Sequence, residues 1–226
     1  MRVRALSIVI LLMAVTVSPA YAADPGPNDP SGHAGWTSLF VGGDIGASIT
    51  SSGFTNEGTT YSFPTSAEFT TGFEAGFLIE TPIRLVVGLD TYGNFNFAAN
   101  NSLSGSEGRR GTFSLNKTYG TNAYGGDLRI GYDLGRVLPY ALIGGGIIEG
   151  TQDLANLDGA GVHAGLGVDV LVARYVGLFG EWSIQQASAN AGAFGFPNGT
   201  ANFLINDIVG GVSMFFWLPG MQGPID

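Results

Sequence analysis

Apolar and polar side chains alternate along residues 68–97 in two runs that meet at Thr81-Pro82. Phe69 to Ile79 and Leu85 to Phe97 each place aromatic or aliphatic residues at nearly every second position, with Gly, Thr, Asn or acidic residues between them. Because successive side chains of a strand point to opposite faces, this pattern predicts a hairpin with one apolar face and one small, polar face. Each arm reaches the ~9–11 residues of a tilted transmembrane strand, beyond the ~5–6 usual in soluble proteins.

The same alternation recurs in six further segments, at 36–49, 124–134, 137–150, 162–172, 176–186 and 207–217. In 137–150 the pattern is weaker, and we expect Tyr140, Leu142 and Ile148 on the apolar face, opposite Ile147 and Glu149. Long polar connections (50–67, 98–123, 151–161 and 187–206) alternate with short ones at Thr81-Pro82, Gly135-Arg136 and 173–175. Alternating long loops and tight turns are typical of bacterial outer-membrane barrels, with both termini on the short-turn, periplasmic side.

Lipid offers no partner to backbone N–H and C=O groups, so strands can cross it only as a barrel without free edges. The sequence therefore predicts an all-β fold, an eight-stranded antiparallel up-and-down transmembrane β-barrel whose last strand pairs with its first. Eight strands leave an interior that side chains fill, not an open pore. Aromatics near many strand ends, such as Trp36, Tyr132, Tyr140 and Trp182, are expected in the interfacial girdles. A soluble lipocalin-type barrel is the alternative; it would turn the apolar face inward around a ligand.

The first 22 residues read as a secretory signal peptide. Arg2 and Arg4 form a basic start, an apolar run follows, and Ala20-Tyr21-Ala22 is a cleavage site. Residues 23–35 then form a flexible periplasmic lead-in, 36–217 the barrel and 218–226 a short tail. The chain contains no cysteine, which excludes a disulfide framework and a lipid-anchored terminus.

Composition narrows the function classes. Charged residues make up 12% of the chain, against about 25% in a soluble domain. The chain has nine basic and 18 acidic residues, and two of the basic residues lie in the signal peptide. Because the chain is acidic and has no basic patch to neutralise phosphates, we expect no nucleic-acid partner.

Four stretches resemble the small eight-stranded outer-membrane barrels of Gram-negative bacteria, the OmpA/OmpX-type, porin-like proteins common in alphaproteobacteria. They are the opening WTSLFVGGDIG from Trp36, GYDLGRVLPYALIGGG from Gly131, VGLFGEW from Val176, and the closing GVSMFF from Gly211. The resemblance implies an outer-membrane location and assembly through the last strand, which the barrel-assembly machinery recognises by a terminal aromatic. Here Phe216-Trp217 is followed by nine further residues, a departure from the family's pattern.

If the apolar face meets lipid, the opposite face lines the lumen. We expect a polar network there, in which arginine pairs with several carboxylates, because buried charges need partners. Its members are Asp44, Glu74, Asp90, Asp127, Arg129, Glu149, His163, Asp169 and Glu181. The excess of acids also suits a narrow cation-preferring channel, which is the second hypothesis.

Catalytic and cofactor signals are weak. His163 could act as a base or metal ligand, but its position on the inner face favours packing in the lumen. A lipid-modifying outer-membrane enzyme is therefore a distant third hypothesis, and we expect no cofactor or metal. Arg109-Arg110, in the second long loop, could contact lipopolysaccharide phosphates. The sequence favours a monomeric, non-enzymatic barrel in outer-membrane lipid, with roles in envelope integrity and surface interaction.

Overall fold

The computed structural model of the chain describes residues 35–56, 59–62, 65–97, 100–107, 111–118, 120–152, 155–190 and 199–217. The predicted signal peptide, the lead-in up to residue 34, the tail at 218–226 and the pair Arg109-Arg110 lie outside the described residues. Within the described part of the chain, no helix is long and apolar enough to cross a membrane.

Eleven strands occur in the described residues, and eight of them form a barrel. The barrel strands are β1 (Ser38–Asn56), β3 (Ser66–Glu80), β4 (Leu85–Phe97), β7 (Gly120–Tyr132), β8 (Val137–Gln152), β9 (Ala155–Ala173), β10 (Val176–Asn190) and β11 (Thr200–Trp217). Three short strands, β2 (Thr59–Ser62), β5 (Asn100–Glu107) and β6 (Gly111–Thr118), lie in the long connections. Strand β2 extends the sheet beside the end of β1, and β5 pairs with β6 in a separate hairpin.

Every barrel strand pairs antiparallel with its neighbours in the order β1-β3-β4-β7-β8-β9-β10-β11. The last strand returns to the first along a seam that runs from Ser38 opposite Trp217 to Thr55 opposite Thr200. This seam leaves no free edge in the barrel wall. The predicted closed eight-stranded antiparallel barrel is confirmed.

The turns and both chain ends of the barrel meet at one rim. Ser38 pairs with Trp217 on one side and with Leu78 on the other, close to the turn after β3. In that turn Arg84 donates its backbone N–H to Thr81 O at 2.9 Å. The turn after β7 is held by Gly135 N–H donating to Asp133 Oδ1 at 2.6 Å, and Gly135 has φ of 90°. A positive φ suits glycine, which has no Cβ to clash.

The strands reach farther into the long connections than the sequence pattern indicates. The predicted loop at 151–161 is mostly strand, since β8 ends at Gln152 and β9 begins at Ala155. Apolar and polar residues alternate along these strands only where one face meets lipid and the other face meets the lumen. Beyond the membrane both faces meet water, so the apolar periodicity fades while the backbone ladder continues.

An apolar band surrounds the outside of the barrel. On β9 the exposed apolar side chains run from Val162 through Leu166 to Val172, ten residue steps along the strand. At ~3.3 Å per residue this is roughly 33 Å, and a strand tilt of ~35–45° reduces it to ~25 Å, the height of an outer-membrane apolar band. The exposed residues above the band on β10, Ser188 and Asn190, are polar. The apolar face therefore lies outside, contrary to the lipocalin alternative.

Strand β8 presents the face opposite to the predicted one. Tyr140, Leu142 and Ile148 are buried inside the barrel, whereas Ile143 and Ile147 are exposed on its outer surface. Both faces of β8 are apolar, so the sequence-based prediction of which face points into the lumen depended on Glu149 alone. Glu149 is exposed near the long-loop end, where an outward side chain meets water and needs no place in the lumen.

The interior has apolar clusters towards both ends. Near the short-turn rim, a plug of inward-facing side chains consists of Trp36, Phe40, Leu78, Val86, Leu138, Leu171 and Phe215. In the long-loop half, a second cluster consists of Tyr92, Ala123, Ile148, Ala187 and Ile205. Trp36 and Tyr140, which we expected in the interfacial girdles, thus point inward, while Tyr132 and Trp182 are exposed.

Candidate functional site: the barrel lumen

Arg129 on β7 is the centre of a buried ion-pair network. Its Nη2 donates to Glu74 Oε2 at 2.6 Å, its Nε to Asp90 Oδ2 at 2.8 Å and its Nη1 to Asp169 Oδ2 at 3.1 Å. The Arg129 side chain is 2% exposed. One guanidinium therefore connects carboxylates of β3, β4 and β9, and its planar fork of donors suits several acceptors at once.

Two aromatic rings complete the surroundings of the guanidinium. The Arg129 Cζ atom lies 4.1 Å from the centre of the Tyr140 ring and 4.9 Å from that of Phe40. A cation within ~6 Å of an aromatic ring face is attracted by the ring quadrupole. The Tyr140 hydroxyl also donates to Glu181 Oε2 at 2.9 Å.

Side chains from all around the barrel wall take part in the network. Ser213 Oγ donates to Glu74 Oε1 at 3.1 Å, which adds the last strand. One side chain from each of the eight strands takes part, namely Phe40, Glu74, Asp90, Arg129, Tyr140, Asp169, Glu181 and Ser213. These contacts tie the strands together across the lumen.

A second polar group lies farther towards the long loops. His163 Nδ1 is 2.8 Å from Asp127 Oδ2, and the His163 ring lies 4.4 Å from the Tyr92 ring, centre to centre. Asn94 Nδ2 donates to Asp207 Oδ2 at 3.3 Å. His163 is thus packed and paired inside the barrel, away from the lipid-facing surface.

A cavity of about 20 Å³ separates these two groups, and its wall is acidic. A space of this size holds on the order of one water molecule. The ionisable side chains that line it are Asp44, Glu74, Asp90, Asp127, Arg129, His163 and Glu181. Five carboxylates therefore face one guanidinium and one imidazole.

Trp36 closes the short-turn end below the network. Its indole Nε1 donates to Asp133 Oδ1 and to Gly135 O, both at 3.1 Å, and its backbone N donates to Glu80 Oε2 at 2.8 Å. The ring packs edge-on against Phe215, with 5.6 Å between ring centres. An aromatic residue from outside the strands therefore fills the barrel mouth, with its one donor satisfied.

The predicted lumen residues fall into two groups. Inside the barrel the structure places Asp44, Glu74, Asp90, Asp127, Arg129, His163, Asp169 and Glu181. Glu149 instead lies on the outer surface of β8, near the long-loop end, where it meets water. The described residues contain no group of three or more His, Cys, Asp or Glu side chains arranged to hold a metal ion.

Sequence reasoning missed other members of the site. Parity places Tyr92, Asn94 and Asp207 on the inner face of their strands, but the sequence did not identify them as members of the polar network. Tyr140 and Ser213 join the network only through contacts across the lumen. Sequence spacing along one strand does not show those contacts.

Two solved structures share this architecture. Neisserial surface protein A is 14% identical, with a TM-score of 0.50, over 79% of this chain and 97% of that one. The outer membrane protein OprG from Pseudomonas aeruginosa is 14% identical, with a TM-score of 0.53, over 83% of this chain and 99% of that one. The fold is that of a small outer-membrane barrel. No protein-family model and no curated protein sequence matches this chain.

These neighbours are outer-membrane proteins, which supports an outer-membrane location for this chain. At such low identity the likeness concerns the fold alone.

Proposed function

We propose that the protein is a non-enzymatic, integral outer-membrane barrel that contributes to the integrity of the cell envelope. The observation that carries this proposal is the lumen, where one arginine network joins side chains of all eight strands above an apolar plug. A pore needs a continuous wet path. A cross-linked, plugged interior instead favours a rigid element of the membrane.

The outer surface of the barrel indicates which lipid and surface partners the protein has. The apolar band suits the acyl chains of the outer membrane, and the strands that continue above it suit contacts with lipopolysaccharide or other surface molecules. Export through the predicted cleaved signal peptide and insertion through β11 as a monomer complete the proposal. The closing strand β11 fits this role because it pairs with both β1 and β10.

The position of His163 supports a non-enzymatic role. A lipid-modifying hydrolase needs its catalytic base at the lipid-facing surface, within hydrogen-bond reach of the substrate. His163 is instead buried in the lumen, paired with Asp127 and stacked near Tyr92.

Heat-modifiability and envelope permeability test the proposal together. The refolded protein in detergent micelles is expected to migrate differently on a gel before and after boiling. In the bacterium that encodes it, deletion of the gene is expected to increase sensitivity to detergents, and the Arg129→Gln variant is expected to complement less well than wild type. Normal detergent resistance in a deletion strain would contradict the envelope role.

A narrow cation-preferring channel is the second candidate, because the acidic lumen wall favours cations. Recordings from the purified protein in planar lipid bilayers distinguish the two. We expect no conductance steps, since the plug fills the short-turn end. Reproducible cation-selective steps would favour the channel instead.

A further inference from the structure

The short-turn rim of the barrel carries one arginine in each of its turns. Apart from the arginine of the lumen, the arginines in the described ranges are Arg84, Arg136 and Arg174, and all three are exposed. Backbone hydrogen bonds join these turns to the next strand around the rim. Asp133 N–H donates to Arg84 O at 2.9 Å, and Leu171 N–H donates to Arg136 O at 2.8 Å. Three cations therefore follow one continuous rim from β3 to β10, in a chain whose net charge is −9.

The acidic residues of the same rim face the plug. Asp133 is buried and accepts hydrogen bonds from the Trp36 indole and from Gly135 N–H. Glu80 accepts the backbone N–H of Trp36. Among the rim side chains that the structure describes, the exposed charges are therefore all positive.

The backbone of Arg84 gives an independent indication that its side chain is used. Arg84 has φ of 65°, and no other non-glycine residue in the described part of the chain has a positive φ. That region is unfavourable for residues with a Cβ, and glycine or asparagine is usual there. The neighbouring turn follows this rule, with Gly135 at φ of 90°. An arginine at a position that suits glycine indicates a role for the guanidinium.

The three arginines lie just beyond the apolar band. Each follows a large exposed apolar side chain by one or two residues, and these side chains are Ile83, Leu134 and Val172. On β9, two residues of ~3.3 Å each at a strand tilt of ~35–45° place Arg174 roughly 5 Å past Val172 along the barrel axis. The headgroup layer on each side of a bilayer is about 5–8 Å thick. The rim guanidiniums therefore lie at the depth of the lipid phosphates.

The chemistry of arginine fits such a partner. A guanidinium presents a planar fork of N–H donors that matches the oxygens of a phosphate. Its long apolar stem can remain at the edge of the hydrocarbon while the charge reaches the headgroups. A headgroup with net negative charge is attracted to the rim, whereas a zwitterionic headgroup brings a cation of its own that the arginines repel.

We propose that Arg84, Arg136 and Arg174 form a rim that selects anionic phospholipids, such as phosphatidylglycerol, in the leaflet beside the short turns. Each guanidinium binds a headgroup phosphate, and the rim keeps a shell of these lipids around the barrel. The inference rests on the membrane insertion included in the proposed function and is independent of its envelope role. It adds the class of lipid and the residues that select it.

Native mass spectrometry of the folded protein measures the selection. The protein is released from mixed micelles that contain equal amounts of phosphatidylglycerol and phosphatidylcholine with the same acyl chains. We expect wild type to retain phosphatidylglycerol in roughly fivefold excess, the effect of one arginine near an anionic membrane surface. Heat-modifiable migration on a gel checks that each sample is folded, so a failure to form the barrel is distinguished from a failure to select lipid.

The double variant Arg136→Gln/Arg174→Gln should lower this excess at least twofold. Its matched control, Arg109→Gln/Arg110→Gln, removes two positive charges from the long connection between β4 and β7 and should retain the wild-type excess. If the double variant does not fold, the two single substitutions give the same comparison. Equal retention of both lipids by wild type, or an equal loss of selection in the variant and its control, would overturn the proposal.

Arg84→Asn separates the guanidinium from the shape of the turn. Asparagine tolerates a positive φ, so the unfolding midpoint in phosphatidylcholine micelles should be unchanged while the excess of bound phosphatidylglycerol falls. Arg84→Lys keeps the positive charge and should retain most of the excess. A wild-type excess in Arg84→Asn would remove this residue from the rim and contradict the interpretation of its backbone.

Discussion

Arg129 illustrates how one residue can connect a barrel through its lumen. Its guanidinium contacts three carboxylates and two aromatic rings, all contributed by strands other than β7. Removing one partner of a buried ion pair is strongly destabilising, because it leaves the other charges uncompensated. The consequence is testable with a single substitution.

We expect Arg129→Gln to lower the free energy of unfolding by about 3–5 kcal/mol, since Glu74, Asp90 and Asp169 lose their shared cation. Urea unfolding in micelles, followed by circular dichroism, measures the loss. Arg136→Gln, in an exposed short turn, is the matched control and should change stability little. Equal losses in both variants would show that the network does not stabilise the barrel.

Glycines of the inner face make room for large lumen side chains. A Cβ at Gly167 would overlap the ring of Tyr140, which is itself fixed by Arg129 and Glu181. Gly180, by contrast, lies on the outer face of the neighbouring strand β10, between the exposed Leu178 and Trp182, and a Cβ there would meet no atom within 4 Å. The two glycines therefore have different roles, because Gly167 faces the filled lumen and Gly180 faces outward.

Gly167→Ala is expected to destabilise the barrel by about 1–3 kcal/mol, the usual effect of overpacking a filled interior. Gly180→Ala should be close to neutral, because its methyl group enters open space. The stabilities of the two variants are compared by their unfolding midpoints, measured under the same conditions. A neutral Gly167→Ala would mean that Tyr140 can move without loss.

At the scale of elements, the closing seam between β1 and β11 is the decisive pairing. It joins strands from the two ends of the described barrel and continues for 18 residue pairs. Along it Ala47 lies opposite Ile208, and both side chains face outward. Directly opposite residues are close enough for a disulfide, so the seam can be tested chemically.

The chain has no cysteine, so an introduced pair reports on the seam without background. We expect Ala47→Cys/Ile208→Cys to form an intramolecular disulfide on mild oxidation of the folded protein. Ala47→Cys/Met214→Cys, six residues out of register, should remain reduced. A mobility shift on a non-reducing gel after unfolding reads out the bond. Cross-linking of the second pair instead would indicate a different register.

Strand β8 shows the limit of pattern reasoning for an element. Its two faces carry similar apolar side chains, and the residue that decided the sequence assignment, Glu149, lies near the strand's long-loop end. The inner face was settled by packing, since Tyr140, Leu142 and Ile148 fill the lumen. Alternation identifies the two faces of a strand but does not identify which one points inward when both are apolar.

At the scale of the molecule, the two rims of the barrel differ. One rim carries the short turns and the Trp36 plug, and the other carries strands that extend past the apolar band. In outer-membrane barrels short turns face the periplasm and long loops face outward. This polarity predicts which residues are reachable from outside the cell.

Ser188→Cys, above the band on β10, should react with a membrane-impermeant maleimide in intact cells. Arg174→Cys, in the exposed short turn between β9 and β10, should react only after the outer membrane is permeabilised. Fluorescent labelling of intact and permeabilised cells gives the measurement. Labelling of Arg174→Cys in intact cells would reverse the proposed orientation.

The sequence by itself determined the number, order and direction of the barrel strands. Contact with lipid on one face and a polar lumen on the other produces a period of two in the barrel strands other than β8, and that signal is local, as in Val162 to Val172. The same parity placed Asp44, Glu74, Asp90 and Arg129 on inner faces. These features need no knowledge of what lies across the lumen.

Only the tertiary structure decided which inner side chains meet. The contacts of Arg129 with Asp169, of Trp36 with Asp133 and of Tyr140 with Glu181 join residues about 40 to 97 positions apart in the chain. Such pairs depend on the stagger of the strands around the closed barrel, which no single strand encodes. Closure of the barrel also determines which face of β8 points inward, and it forms the acidic cavity beside Asp44.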